Sequence, residues 1–207
     1  MPFYDSILRA CTADEAGRAR YMEHLKSHPP LREDTPTELF YGVSETFFFT
    51  VRDEQGRNII QQHLANTEGL SAAQRGTLQL VSTARFALVE VQSLNDTDGL
   101  MSVYDTDTEE VTYVYSGAFD RLDIRPGVWL GGMMVRLGEL SLFVSHPWCV
   151  HEKARTLLME NPLRPGHENS DLLFRILVNA ETLYILSAES RALEKQIRRH
   201  KRWRKKK

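Results

Sequence analysis

The chain has 207 residues, of which 42% are apolar and 26% charged, with a formal net charge of −2. That is enough chain for one sizeable core or two small ones. It holds no apolar run near the roughly 18 residues a membrane-spanning helix needs. Met1-Pro-Phe-Tyr lacks a basic stretch followed by an apolar core, so no secretion signal and a cytoplasmic location are expected. In such a compartment no disulfide is expected between the two distant cysteines, Cys11 and Cys149.

Residues 3–27 carry Ile7, Leu8, Cys11, Ala19, Met22 and Leu25 at helical spacing. Gly17 weakens the middle and points to two short helices, and His28-Pro29-Pro30 ends them. Thr35-Pro36-Thr37-Glu38 opens a helix as a capping box with proline at its first position. That helix bears Leu39, Phe40, Val43, Phe47, Phe48 and Val51. The run Phe47-Phe48-Phe49 would be costly to expose, so at least two of its rings are expected in a core. Asp53 to Gly56 forms a turn, a short helix follows over 57–66, and Ser71-Ala-Ala-Gln74 caps another that runs to about Ala84.

From Arg85 the pattern changes to short runs of β-branched and aromatic residues bounded by Gly, Pro, Asp and Asn. Strands are expected at Arg85–Val91, Leu100–Asp105, Val111–Tyr115, Val128–Leu130 continuing through Met133–Leu137, and Leu140–Val144. Gly131-Gly132 is expected to mark a bend or bulge. Short turns between sequential strands predict antiparallel pairing, and five strands can curl into a barrel or SH3-like roll. A helix over 150–161 and a last one starting near Ser170 follow, the latter with Leu172, Leu173, Ile176, Leu177, Ala180, Leu183 and Tyr184.

The fold class read from this is α+β: an N-terminal helical region over 1–84, a small five-stranded antiparallel barrel-like domain over 85–147, C-terminal helices over 148–194 and a basic tail over 195–207. The tail carries Lys195, Arg198, Arg199, Lys201, Arg202, Arg204, Lys205, Lys206 and Lys207 with no acid. That leaves 17 basic against 28 acidic residues before it, so a body of −11 ends in an extension of +9. Lysine and arginine at this density neutralise phosphates and release counterions, and Trp203 among them can stack on bases. The plainer readings are a solubilising end, an acidic protein partner, or a tail folded back on the acidic body.

Several segments share a further pattern. Leu39-Phe40 with Phe47-Phe48-Phe49 precedes Asp53-Glu-Gln-Gly56-Arg57-Asn58. Then come Gly69-Leu-Ser-Ala-Ala-Gln-Arg75, Phe86-Ala-Leu-Val-Glu-Val91, Val103-Tyr104-Asp105, Thr108-Glu-Glu-Val111, Arg125-Pro-Gly-Val-Trp-Leu130 and Met134-Val-Arg-Leu137. Roughly half the chain thereby resembles the body of an uncharacterised bacterial family associated with SEC-C motifs. The resemblance implies an architecture and no activity. The Cys- and His-rich zinc ending of that group has no counterpart here, since His200 stands among basic residues without a cysteine.

Three other groups could bear chemistry. His146, Cys149 and His151 are soft-metal ligands close in sequence, but a helix starting near Cys149 would point Cys149 and His151 about 200° apart. A strand-to-helix junction is therefore preferred, and Cys-His nucleophilic chemistry has little support. Asp96, Asp98, Asp105, Asp107, Glu109 and Glu110 crowd two turns and could hold a hard cation or form an acid-base pair. They miss calcium-loop spacing, and solvated hairpin tips are the preferred reading. No nucleophile elbow, phosphate loop or dinucleotide fingerprint is present.

No catalytic residue, metal ligand or cofactor is assigned. The chain reads as a cytoplasmic binding or adaptor protein whose tail (Lys195, Arg198, Arg199, Lys201, Arg202, Trp203, Arg204 and Lys205 to Lys207) engages nucleic acid or another polyanion. In this reading the body meets a protein partner or self-associates and no membrane is involved. The alternatives are a protein-interaction module without a nucleic-acid role, and an enzyme using the acidic turns or the Cys149 region.

Overall fold

The computed structural model describes residues 2–29, 37–66, 69–95, 99–115, 124–160 and 172–184. Seven helices lie among them: α1 (Pro2–Cys11), α2 (Glu15–Lys26), α3 (Thr37–Thr50), α4 (Ile59–Ala65), α5 (Ala72–Ser82), α6 (Glu152–Met159) and α7 (172–184). Between α5 and α6 run β1 (Arg85–Asn95), β2 (Leu100–Asp105), β3 (Glu110–Tyr115), β4 (Trp129–Leu137), β5 (Leu140–Phe143) and β6 (Trp148–Cys149).

The N-terminal helical stretch is two helices. Asp14 caps α2 by accepting the Gly17 amide at 2.7 Å, and Arg18 donates to the carbonyls of Thr12 and Ala13 in the break. Gly17 sits in the first turn of α2 because α1 ends against it. A Cβ there would lie 1.8 Å from the Cys11 carbonyl oxygen. The Thr35-Pro36 start lies outside the described residues. Asn58 with Gln61, and Ser71 with Gln74, form complete capping boxes at α4 and α5. Only the second was expected from sequence.

The strands close on themselves. β1 pairs with β2, β2 with β3, β4 with β5 and β1 with β4, all antiparallel, while β3 pairs with β5 in parallel at Tyr113–Leu140 and Val114–Ser141. The five-stranded barrel expected from sequence is present, with a mixed ring in place of a wholly antiparallel one. The reason is parity: strands that alternate in direction around a ring of five must meet one neighbour running the same way. β6 adds to β4 outside the ring.

Gly131 and Gly132 do not bend β4, which pairs without a break from Trp129 to Met134 against β1. The one register shift in β1 falls between Val91 and Ser93. The glycines serve close packing. A Cβ at Gly131 would come within 2.6 Å of Leu177 on α7, and one at Gly132 within 2.8 Å of the Ser145 hydroxyl.

The period-two alternation of β1 divides its side chains between two cores. Ala87, Val89 and Val91 point into the barrel with Met101, Val103, Val114, Leu130 and Met134. Phe86 and Leu88 point outward and join Met133 in a second core made with α1, α3, α4, α5, α6 and α7. All three rings of Phe47-Phe48-Phe49 are buried there, so α3 is packed on several sides. Phe48 stacks on Tyr4 at 5.1 Å between centroids, Phe47 meets Tyr21 edge-on, and Phe49 meets Phe174. Helices from both ends of the chain thus cover the β1–β4 wall of the barrel, and among the described residues none covers the β2–β3–β5 wall.

Candidate functional site: the outer barrel wall

β3 reads Glu110-Val-Thr-Tyr-Val-Tyr115, and its alternation sorts the residues cleanly. Thr112 and Val114 are buried, while Val111, Tyr113 and Tyr115 face outward. Tyr113 and Tyr115 keep 47% and 54% of their surface exposed, on the wall the helices do not cover. Register places Leu100 beside Tyr115, Tyr104 beside Val111, and Leu140 beside Tyr113. Leu137, paired with Leu140, extends the strip, and both are exposed. An aromatic and aliphatic strip of this kind on a closed barrel is the surface class that marks interaction sites. Closure itself removes strand edges, so recognition here would run through side chains.

The strip has an acidic border. Glu109, Glu110 and Glu139 are exposed at the start of β3 and in the β4–β5 turn, and among the described residues one cation, Arg136, pairs with them, at Glu110. The carbonyl of Glu139 accepts the Tyr113 amide at 3.2 Å and the Thr112 hydroxyl at 3.0 Å, which holds this turn against β3. A positive φ of 57° at Glu109 tightens the β2–β3 turn that carries the other two acids.

The β2–β3 turn meets the expectation of a solvated tip at Glu109 and Glu110, which are exposed, and departs from it at Asp105 and Asp107. Asp105 is buried, bonded to Arg85, and accepts the Asp107 amide at 3.0 Å, while Asp107 also pairs with Arg85 at 3.2 Å. The guanidinium occupies the place a cation would take. Asp96 and Asp98 lie outside the described residues, as do Lys195 to Lys207 with Trp203.

His146, Cys149 and His151 are not brought to one point. The helix starts at Glu152, later than expected, because Trp148 and Cys149 pair with β4 and His151 is the residue before the helix. The segment is extended, so Cys149 and His151 share a face, against the 200° separation that a helix would impose. His146 belongs to the opposite alternation. Its ring meets Trp148 edge-on at 5.7 Å and its amide donates to Glu45 Oε2 at 2.5 Å. His151 is held instead by Glu181. The ring Nδ1 lies 2.7 Å and the backbone amide 3.0 Å from the same carboxylate oxygen, and the ring stacks on Tyr184 at 3.9 Å. Burial raises the carboxyl pKa of Glu181, and the two His151 bonds oppose that. No group of three metal-ligating residues forms among the described residues.

Glu181 went unremarked in the sequence although one signal was there. It lies three and four residues beyond Val178 and Leu177, on the buried stripe of its helix, where a carboxylate needs a partner. The outer strip was legible in the same way, as Val-x-Tyr-x-Tyr alternating with Thr112 and Val114. The composition of β3 reads equally as a two-sided core strand, so only the barrel tells which face is outside. Comparison with protein-family models, with curated proteins and with solved structures finds no match.

Proposed function

We propose that this protein is a non-enzymatic adaptor: its outer barrel wall docks a cationic polypeptide segment with apolar or aromatic side chains, and its basic tail engages nucleic acid or another polyanion. The observation that carries the reading is the exposed strip of Val111, Tyr113, Tyr115, Leu137 and Leu140 bordered by Glu109, Glu110 and Glu139. Charge complementarity selects the occupant. A second copy facing the first would oppose like acids, and a phosphate backbone would meet a negative border, whereas a lysine- or arginine-bearing segment satisfies both strip and border. The tail supplies the separate anion-binding end, with nine cations in thirteen residues.

The test uses the full chain against a panel of basic amphipathic peptides and against single-stranded RNA. Tyr113→Ser with Tyr115→Ser should weaken peptide binding at least tenfold and leave RNA binding unchanged, since aromatic anchors carry most of such interface energies. Removing residues 195–207 should do the reverse. Peptide binding that survives the tyrosine pair, or RNA binding that survives the truncation, would overturn the corresponding half. Dimerisation lost on the tyrosine substitutions would assign the wall to a second copy instead.

A further inference from the structure

A cleft of about 610 Å3 lies between the end of α1, the start of α2 and α4, away from the barrel wall. Its size falls within the range of small-molecule sites, about 300–1,000 Å3. Phe47, Ile59 and Leu70 give it an apolar lining. One basic and one acidic residue line it, Arg20 and Asp14.

Arg20 is anchored at one nitrogen. It donates to the Arg52 carbonyl at 3.0 Å and has no carboxylate partner among the described residues. A guanidinium fixed at one nitrogen, with the rest of its fork unpaired, suits a carboxylate. Asp14 spends Oδ1 on the Gly17 amide, leaving Oδ2 for a donor. The remaining titratable pair adds no charge. Cys11 Sγ lies 4.0 Å from His63 Nδ1, burial pushes the thiol up to about 11, and burial lowers the imidazole below its ordinary value. Gly17 shapes this wall, because any side chain there would strike the Cys11 carbonyl and part α1 from α2.

We infer that this cleft binds a zwitterionic amino acid with an apolar side chain, its carboxylate on Arg20, its ammonium on Asp14 and its side chain against Phe47, Ile59 and Leu70. One positive and one negative group on the protein match a ligand with one of each. A dianionic phosphate would face a single guanidinium in a cleft that also holds a carboxylate.

The probes are L-phenylalanine, 3-phenylpropionate, which lacks the ammonium, and 2-phenylethylamine, which lacks the carboxylate, titrated calorimetrically into the full chain. L-phenylalanine should bind saturably at one site, and each half-ligand at least tenfold more weakly. Arg20→Gln should weaken L-phenylalanine at least tenfold. Asp14→Asn should do so too while leaving 3-phenylpropionate unchanged, and asparagine caps a helix as well as aspartate, so α2 keeps its start. If Arg20→Gln does not fold, the Asp14→Asn arm decides. Absence of binding, equal affinity for L-phenylalanine and 3-phenylpropionate, or indifference to Asp14→Asn would overturn the assignment.

Discussion

His24 and His28 stand one turn apart at the end of α2; three hydrogen bonds tie them to other helices and a fourth joins them to each other. His28 Nδ1–H faces Asn179 Oδ1 on α7 at 2.6 Å, which leaves the Nε2 lone pair of a neutral ring facing His24 Nε2 at 3.2 Å. Thr46 on α3 donates its hydroxyl to the Val43 carbonyl and receives His24 Nε2 at 2.8 Å. Thr46 Oγ1 also lies 3.0 Å from His28 Nε2, so both rings share one hydroxyl. Burial, the neighbouring ring and nearby Arg175 push His24 down to about 4, and burial lowers His28 as well. A base lowered on folding favours the folded state above its unfolded pKa, near 6.5, and withdraws that support as pH falls. Urea denaturation should therefore show stability falling between about pH 6.5 and pH 4, by up to about 3 kcal/mol for His24. His24→Gln should flatten that limb.

Glu45 works in the opposite sense. It is fully buried on α3 and burial lifts its carboxyl to about 8, although the His146 amide stabilises the ionised form. An acid raised on folding gives its full support below the unfolded pKa, near 4.5, and loses it as pH climbs toward about 8. The loss should be on the order of 4 kcal/mol by the usual conversion of a pKa difference. Glu45→Gln, which keeps an acceptor for the His146 amide, should raise the denaturation midpoint at pH 8 and change little at pH 4.5. The histidine pair and Glu45 were both absent from the sequence reading. An i, i+4 histidine pair and a glutamate between buried aromatic positions carry no distinct pattern until three helices converge on them.

Among the elements, β4 shows how chemistry at one position can serve a neighbouring layer. Gly131 reads from sequence as a bend, because a strand interior gains nothing from glycine within its own sheet. Its role is set by Leu177, more than forty residues later, whose methyl group occupies the space a Cβ would take. Gly42 does the same for α3, where a Cβ would fall 2.0 Å from the Trp148 ring. Gly131→Ala and Gly42→Ala should each destabilise the fold by about 1–3 kcal/mol, as overpacked sites do, read from thermal denaturation. Gly76→Ala has open space and should be neutral or slightly stabilising. What sequence could supply was local: the cap at Ser71, the break near Gly17, the alternation in β2 and β3. The Cys149–His151 segment misled because its helical pattern begins two residues before the helix does, and a pairing with β4 claims those residues first.

On the scale of the whole molecule the fold class followed from order alone, helices, then strands with turns, then helices. The burial of Arg85 with Asp105 and Asp107 did not. It takes an arginine from the start of the barrel and two acids twenty residues on, and it offsets part of the charge of the densest acidic stretch. The exposed acids near Tyr113 are what remains to set the electrostatic character of the wall. If the adaptor reading holds, peptide binding at the wall and RNA binding at the tail should differ in salt response. Peptide affinity should fall modestly with added salt, while RNA affinity should fall with a log–log slope of up to about 6, from nine cations at roughly 0.7 each on a single strand. Equal slopes in a filter-binding and a fluorescence titration would sink the division of labour.

The parallel contact of β3 with β5 has a kinetic side. The other barrel pairings join hairpins or the long reach from β1 to β4, and this one can form only after β5 has turned back from β4 through Gly138-Glu139. Until then β3 presents an unpaired edge bearing Val111, Tyr113 and Tyr115, all sheet-prone residue types. Ring closure is therefore expected late in folding, and light scattering during refolding should be greatest in the interval before it.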